Sequence, residues 1–318
     1  MEQRASLRTV FFGTPEFAVP AFTALHRHTH VVGVVCQPDR RSGRGMRLTA
    51  PPVKQAAQEL GVEVFQPSRV RDGVLARWLE GLRADVALVA AYGRILPPEV
   101  LSAPAHGCLN LHASILPKYR GAAPIQWALA NGDRETGISL MQMDVGMDTG
   151  PVYTVRRLPI AGHMNGGELT QALADLAAQM VGDEVLAAVA GRLQATPQDD
   201  RLASAAPPIG KEHLLIDWSA PGDHIVQRVR AFAPAPAAFT FAGERRLKVL
   251  EARRGSSAAD AAPGTVLGTE RDAAVIACGD GSVELWRAGA DGKKPQSGRD
   301  LVNGRLLRPG LRLGPGPS

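Results

Sequence analysis

Asn110 and His112 stand two residues apart in G-C-L-N-L-H-A-S-I-L-P (107–117), directly after a short apolar run. Residues i and i+2 of a strand project from the same face, so an amide and an imidazole can aim at one point in space. Downstream, M-Q-M-D-V-G-M-D-T-G (141–150) offers two carboxylates, Asp144 and Asp148, with Gly146 and Gly150 suited to a loop folded close to a substrate. An amide donor, a titratable imidazole and an aspartate that can orient it are the parts acyl-type transfer needs. The amide meets charge developing on a carbonyl oxygen, and the ring moves a proton. An Asn and a His near a strand end are, in an arbitrary chain, more often hydrogen-bonded loop residues. Here the flanking residues argue for chemistry.

The elements that must position these groups can be read from apolar periodicity. Strands are expected at 9–12, 30–35, 62–65, 85–90, 109–111 and 138–141, and helices at 17–25, 53–60, 72–82 and 123–130. Apolar runs alternating with helical segments indicate α/β architecture, a mostly parallel sheet covered on both faces. A long Ala- and Leu-rich helical pattern follows over 167–190. Residues 191–210 are polar and Pro-containing, and they read as a linker. Beyond it lie one helix (223–232) and short β-type runs at 238–242, 246–252, 265–267, 273–278 and 282–286, punctuated by glycines. Close, even spacing of this kind indicates a small barrel or sandwich. The G-P-G-P-S tail is expected to be disordered, and the expected organisation is 1–190, linker 191–210, second domain 211–312 and tail 313–318.

Composition narrows the function classes. The chain has 318 residues, 45% of them hydrophobic, enough for one large or two ordinary domains. No run of about 18 apolar residues suggests a membrane span. The opening M-E-Q-R-A-S-L-R-T-V passes from charges straight into a strand pattern, so no secretory signal is expected. Cys36, Cys108 and Cys278 are odd in number and far apart, with neither disulfide nor metal spacing. A reducing compartment, the cytoplasm, is therefore expected. The net charge of +5 is uneven: residues 37–54 carry +4 and residues 286–318 carry +5, which leaves the remainder at −4. Positive charge concentrated in Gly-rich sequence suits a phosphate backbone.

Further motifs appear in order: G-T-P-E-F-A (13–18), Q-P-D-R-R-S-G-R-G-M-R-L (37–48) with P-P-V-K (51–54), A-Y-G-R-I-L-P (91–97), and N-L-H-A-S-I-L-P-K-Y-R-G-A-A-P-I-Q-W-A (110–128). After the 141–150 motif come A-P-A-P (233–236), P-G-T-V-L (263–267) and G-K-K-P-Q-S-G-R-D-L (292–301). With these the chain closely resembles the methionyl-tRNA formyltransferases, of the folate-dependent formyltransferase superfamily, over nearly its whole length. The resemblance implies a Rossmann-like catalytic domain followed by a small OB-like β-barrel domain that binds tRNA. It implies formyl transfer from 10-formyltetrahydrofolate to the α-amine of methionine on initiator tRNA, with no metal; separately from the resemblance, a monomer is expected.

Residue by residue, the resemblance favours Asp148 over Asp144 as the partner of Asn110 and His112, and leaves Asp144 beside the folate. Asn110 would donate to the oxyanion. His112 would donate a second hydrogen bond and carry a proton from the amine towards the folate nitrogen. Asp148 would hold the imidazole in one tautomer and stabilise its protonated form. Ser114, Ile115, Leu116 and Pro117 match the folate-contacting segment. Val89, Ala90, Ala91, Tyr92, Gly93, Arg94 and Ile95 resemble the segment whose backbone lines the pterin pocket. Arg40, Arg41, Arg44 and Arg47 fall in the basic loop expected to meet the tRNA acceptor end, with Arg44 as its discriminating arginine. Lys293 and Lys294 fall in the C-terminal basic cluster.

Four departures stand out. Ile115 replaces the usual Leu. Ala113 replaces a usual Gly, and would be strained if that position needs positive φ. Met46 removes one charge from the basic loop, and A-P-A-P lacks the family's Trp. The alternative is a folate-dependent formyltransferase acting on a small amine such as a sugar nucleotide. A third possibility is a non-catalytic RNA-binding protein on the same scaffold. The basic segments argue against the former and the intact Asn-His-Asp set against the latter.

Overall fold

The computed structural model describes residues 7–42, 47–256 and 260–316. The chain forms two compact units, one of residues 1–124, 135–159 and 170–206, the other of residues 125–134, 160–169 and 207–318.

The strands of the first unit are β1 (Arg8–Gly13), β2 (His30–Val35), β3 (Arg40–Ser42), β4 (Arg47–Thr49), β5 (Val64–Phe65), β6 (Val86–Ala90), β7 (Cys108–His112), β8 (Arg120–Gly121), β9 (Glu135–Gln142), β10 (Val152–Pro159) and β11 (Ala205–Ala206). Seven of them make one sheet in the order β10-β9-β7-β6-β1-β2-β5. The pairings from β5 to β7 are parallel, and β7–β9 and β9–β10 are antiparallel. The mostly parallel sheet expected from the alternation is therefore present, with an antiparallel margin. Central strands are buried on both faces, which is why β1 and β6 read as unbroken apolar runs. Val10, Phe12, Val35, Leu75, Leu79, Val89, Tyr92 and Cys108 share one core cluster, with the Phe12 and Tyr92 rings edge to face at 5.3 Å.

Strand β10 was not foreseen. It is an edge strand, half-exposed, and carries two arginines that pair with Glu184 and Glu135, so it shows neither a continuous nor an alternating apolar pattern. The long helix is interrupted: Gly166–Met180 is α-helical and Val181–Val185 is a π-turn before helix resumes at Leu186–Val189. Residues 191–210 are more than a connector. They contain a 3-10 turn (Asp200–Leu202) and β11, which pairs in parallel with β8.

All three cysteines are buried, and burial pushes the Cys36 thiol up to about 11 and that of Cys108 up to about 12. A buried thiol held protonated is a poor nucleophile. We expect no thiol to react with Ellman's reagent in the native protein at pH 8, and all three to react in guanidinium chloride. Rapid native labelling of Cys36 or Cys108 would contradict this packing.

The second unit contains β12 (Ala238–Ala242), β13 (Arg245–Arg254), β14 (Val266–Glu270), β15 (Ala273–Cys278), β16 (Gly281–Ala290), β17 (Gln296–Ser297) and β18 (Leu313–Gly314). The order is β14-β15-β16-β13-β12-β18, antiparallel throughout, with β17 added to β16. A single bridge between Thr265 and Arg312 joins the two ends, so the sheet curls into a barrel and does not stack as a sandwich. Leu313 and Gly314, expected in a disordered tail, are strand residues because β12 supplies their partners. Residues 125–134 group with the second compact unit: Trp127 donates to the Pro207 carbonyl and meets the His213 ring edge-on. Both Ala-Pro bonds of A-P-A-P are cis.

Candidate active site

In an open α/β sheet, ligands bind in the crevice beyond the carboxyl ends of the strands. Strands β6 and β7 pair in parallel with Val89 beside Asn110, so the segments that follow them, 91–95 and 113–117, leave the same edge of the sheet. Asn110 and His112 are both buried, and both lie on β7. Asp148 reaches them from the loop after β9. Its Oδ1 accepts from Asn110 Nδ2 at 3.4 Å, and its Oδ2 lies 3.5 Å from His112 Nδ1. The same Oδ2 accepts the Gly121 backbone N–H at 2.8 Å. One carboxylate therefore touches both the amide and the imidazole.

The other ring nitrogen settles the tautomer. His112 Nε2 lies 2.9 Å from the Tyr119 carbonyl oxygen, which can only accept, so Nε2 carries the proton. In the neutral ring Nδ1 then holds the lone pair and faces Asp148. A hydrogen bond donated by His112 into the site therefore comes from Nδ1 once it has taken up a proton.

Asp144 is placed differently. Its Oδ1 accepts from Gly146 N at 3.0 Å and Thr149 Oγ1 at 2.7 Å, and it is exposed. It shapes the loop, on which Val145 and Met147 stand 70% and 55% exposed. Asp148 has φ of 54°, a left-handed conformation that Asp tolerates better than most residues.

Of the folate-segment residues, Ser114 is fully buried and its Oγ donates to the Lys118 carbonyl. Ser139 was not foreseen. Its Oγ donates to Ser114 O and accepts from Leu116 N, which fixes the turn leading to the cis Leu116–Pro117 bond. Leu116 is buried, and Ile115 and Pro117 are half-buried. Ala113 does not have positive φ, so its Cβ is not strained there.

Val89, Ala90 and Tyr92 point into the protein. Tyr92 packs in the core, where its hydroxyl has no hydrogen-bond partner among the described residues. Ala91 and Gly93 are exposed with φ of 48° and 80°, and Ile95 is 48% exposed. Arg94 donates to Gln37 Oε1 and to the Pro67 and Ser68 carbonyls. Exposed peptide groups beside a half-exposed aliphatic side chain fit a flat heterocycle edged by donors and acceptors. The Gly13 turn has another purpose. A Cβ there would come within 2.8 Å of the Ala18 Cβ and 3.1 Å of the Ala90 carbonyl, so close packing, and not ligand approach, requires the glycine.

Arg40, Arg41 and Arg47 are exposed on the β3–β4 hairpin. Arg44 and Met46 lie outside the described residues. Lys293 and Lys294 are exposed between β16 and β17. Among the described residues no cluster of His, Cys, Asp or Glu could hold a metal ion, and no helix is long and apolar enough to cross a membrane. His213 caps a short helix by accepting from Gly210 N.

Gln198 was also missed, because it lies in the polar stretch read as a linker. Its Nε2 donates to the Asp148 carbonyl at 2.8 Å and the Gly150 carbonyl at 2.7 Å, and its Oε1 accepts from Arg120. The only sequence signal is a lone amide between Pro197 and Asp199.

A parallel sheet that presents an amide, an imidazole and a carboxylate at its carboxyl edge, followed by a barrel, places the chain in the formyl transferase family: residues 7–185 match the formyl transferase model and residues 208–306 match the formyl transferase C-terminal domain. Relatives named methionyl-tRNA formyltransferase are similar along their whole length. The protein of Sorangium cellulosum is 52% identical, over 97% of this chain and 100% of its own, and that of Myxococcus xanthus is 45% identical, over 95% and 96%. Among solved structures, WlaRD, described as a sugar 3N-formyl transferase in the presence of dTDP and 5-N-formyl-THF, superposes with a TM-score of 0.66. It covers 91% of this chain and 99% of its own at 15% identity, a likeness of fold.

Proposed function

We propose that the protein transfers a formyl group from 10-formyltetrahydrofolate to the α-amino group of methionyl initiator tRNA, giving N-formylmethionyl-tRNA for translation initiation. The observation that carries the chemistry is the single carboxylate of Asp148 touching both Asn110 and His112. Full-length similarity to enzymes named for this tRNA substrate supports the acceptor.

The folate, when bound, supplies an activated formyl group. The exposed main chain at Ala91 and Gly93, with Ile95 and the 114–117 turn, would hold its ring system at the carboxyl edge of the sheet. Asn110 has two amide hydrogens. One is spent on a long bond to Asp148, and the other is left to meet negative charge growing on the formyl oxygen. His112 Nδ1 accepts the proton that the attacking amine gives up as the new C–N bond forms, and Asp148 balances the resulting imidazolium. The ring returns that proton to the folate nitrogen as the old bond to the formyl carbon breaks and tetrahydrofolate leaves. The Tyr119 carbonyl keeps Nε2 protonated, so only Nδ1 changes state.

The basic segment 37–48 with Arg40, Arg41, Arg44 and Arg47, and the second domain (211–312) with Lys293 and Lys294, are read as the tRNA-binding parts. We place the enzyme in the cytoplasm, as a monomer. Loss of one phosphate contact should reduce the slope of log affinity against log salt by roughly 0.7–0.9. Lys293→Gln is expected to show that reduction in tRNA-binding titrations, and an unchanged slope would remove Lys293 from the interface.

The deciding assay offers labelled 10-formyltetrahydrofolate with methionyl initiator tRNA, free methionine or an amino sugar nucleotide. Transfer to the charged tRNA alone is expected. Transfer only to the small amine would retain the Asn-His-Asp chemistry and reject the acceptor.

A further inference from the structure

We infer that Gln198 is a positioning residue for the formyl transfer, holding Asp148 in the conformation that lets its carboxylate reach Asn110 and His112. The inference rests on the reading of Asp148 given above.

Asp148 sits in a left-handed backbone conformation at φ of 54°, which costs a non-glycine residue free energy unless its surroundings enforce it. Its side chain is fixed on one side by Gly121 N–H. Its main chain is fixed by one group, the Gln198 carboxamide, whose NH2 bonds the carbonyls of Asp148 and Gly150. The carboxamide oxygen in turn accepts from Arg120 Nε at 3.1 Å and Nη2 at 2.8 Å, and Arg120 also pairs with Asp200 at 2.7 Å. Arg120 and Gly121 form β8, which β11 pins in parallel register. The backbone N–H that holds the Asp148 carboxylate and the guanidinium that holds Gln198 thus belong to adjacent residues of one strand. Gly121 itself, at φ of 125°, tolerates no side chain, since a Cβ would lie 2.7 Å from the Ala206 carbonyl.

Only an amide suits this position. It must donate twice towards the loop and accept twice from Arg120, which a neutral carboxamide does. A carboxylate of the same shape keeps the Arg120 side and turns the loop side into repulsion between oxygen atoms. The effect on chemistry follows from distance: displacing a reacting group by about 1 Å can cost roughly 10²-fold in rate.

The test compares Gln198→Glu, Gln198→Met, Asp148→Asn and each double variant in the full-length protein, with kcat, KM for both substrates and the thermal unfolding midpoint measured. Gln198→Glu and Gln198→Met are expected to lower kcat by roughly 10–10²-fold, with both KM values close to wild type and the midpoint little moved. In the Asp148→Asn background, neither should lower kcat further, because the group they position is already gone. Wild-type kcat in Gln198→Glu would overturn the inference, as would a further full loss in the double variant. Wild-type kcat in Asp148→Asn would instead sink the reading of Asp148 itself. Gln198→Met carries no added charge, so the comparison stands if the Glu variant fails to fold.

Discussion

Replacing His112 by Ala is expected to lower kcat by roughly 10²–10⁴-fold, the range for loss of a positioned general base, with KM for the charged tRNA little changed. The size follows from the way the site is wired. Nε2 is committed to the Tyr119 carbonyl, so Nδ1 is the one ring atom able to change protonation beside Asp148. His112 supplies the imidazole beside Asp148, and Asp148 is itself held by Gly121 and Asn110 as an acceptor. His112→Asn serves as the second variant, because it restores a polar group of similar reach that cannot take the proton. Single-turnover formylation of methionyl initiator tRNA, with tRNA affinity measured separately, checks both. If either variant turned over at the wild-type rate, another group would be moving the proton.

Asn110→Ala is expected to lower kcat by roughly 10²–10³-fold, equivalent to roughly 2.7–4 kcal/mol for one well-placed oxyanion donor. Asn110 lies in the middle of β7, paired with Val89 on one side and Met141 on the other, so its backbone is fixed whatever the side chain. Removing the amide deletes the donor without loosening the strand. Binding of initiator tRNA should persist, because the basic residues lie on the β3–β4 hairpin and between β16 and β17. The result separates an enzyme from an RNA-binding protein on the same scaffold. A folded Asn110→Ala protein with full activity would remove Asn110 from the chemistry.

Much of the first unit was legible because buried strands and amphipathic helices write their burial into the sequence. The runs at 9–12, 30–35 and 85–90 lie within or closely match β1, β2 and β6, whose neighbours cover both faces. Strand β10 was not legible, since an edge strand of mixed Val, Thr and Arg carries no periodic signal. Residues 313–314 read as tail for a similar reason: two residues have no period, and β12 alone makes them a strand. Ser139 and Gln198 escaped because a hydroxyl inside a strand and an amide inside a polar stretch gain meaning only from partners 23–25 and 48–78 residues away.

The sequence by itself determined which groups could do the chemistry. The two-residue spacing of Asn110 and His112 puts them on one face of any strand, and the ordered motifs carried the family. Spacing left Asp144 and Asp148 both within a loop's reach of His112, the ordered motifs favoured Asp148, and the tertiary structure decided which of the two lies beside the ring. Only Asp148 comes within 3.5 Å of the ring, while Asp144 turns back onto Gly146 and Thr149. It also decided the tautomer, because the carbonyl that fixes it belongs to Tyr119, a residue whose backbone at φ of 62° no local pattern announces. Hydrogen bonds that span many residues depend on how the chain returns to itself, and that information becomes available only once the sheet has formed.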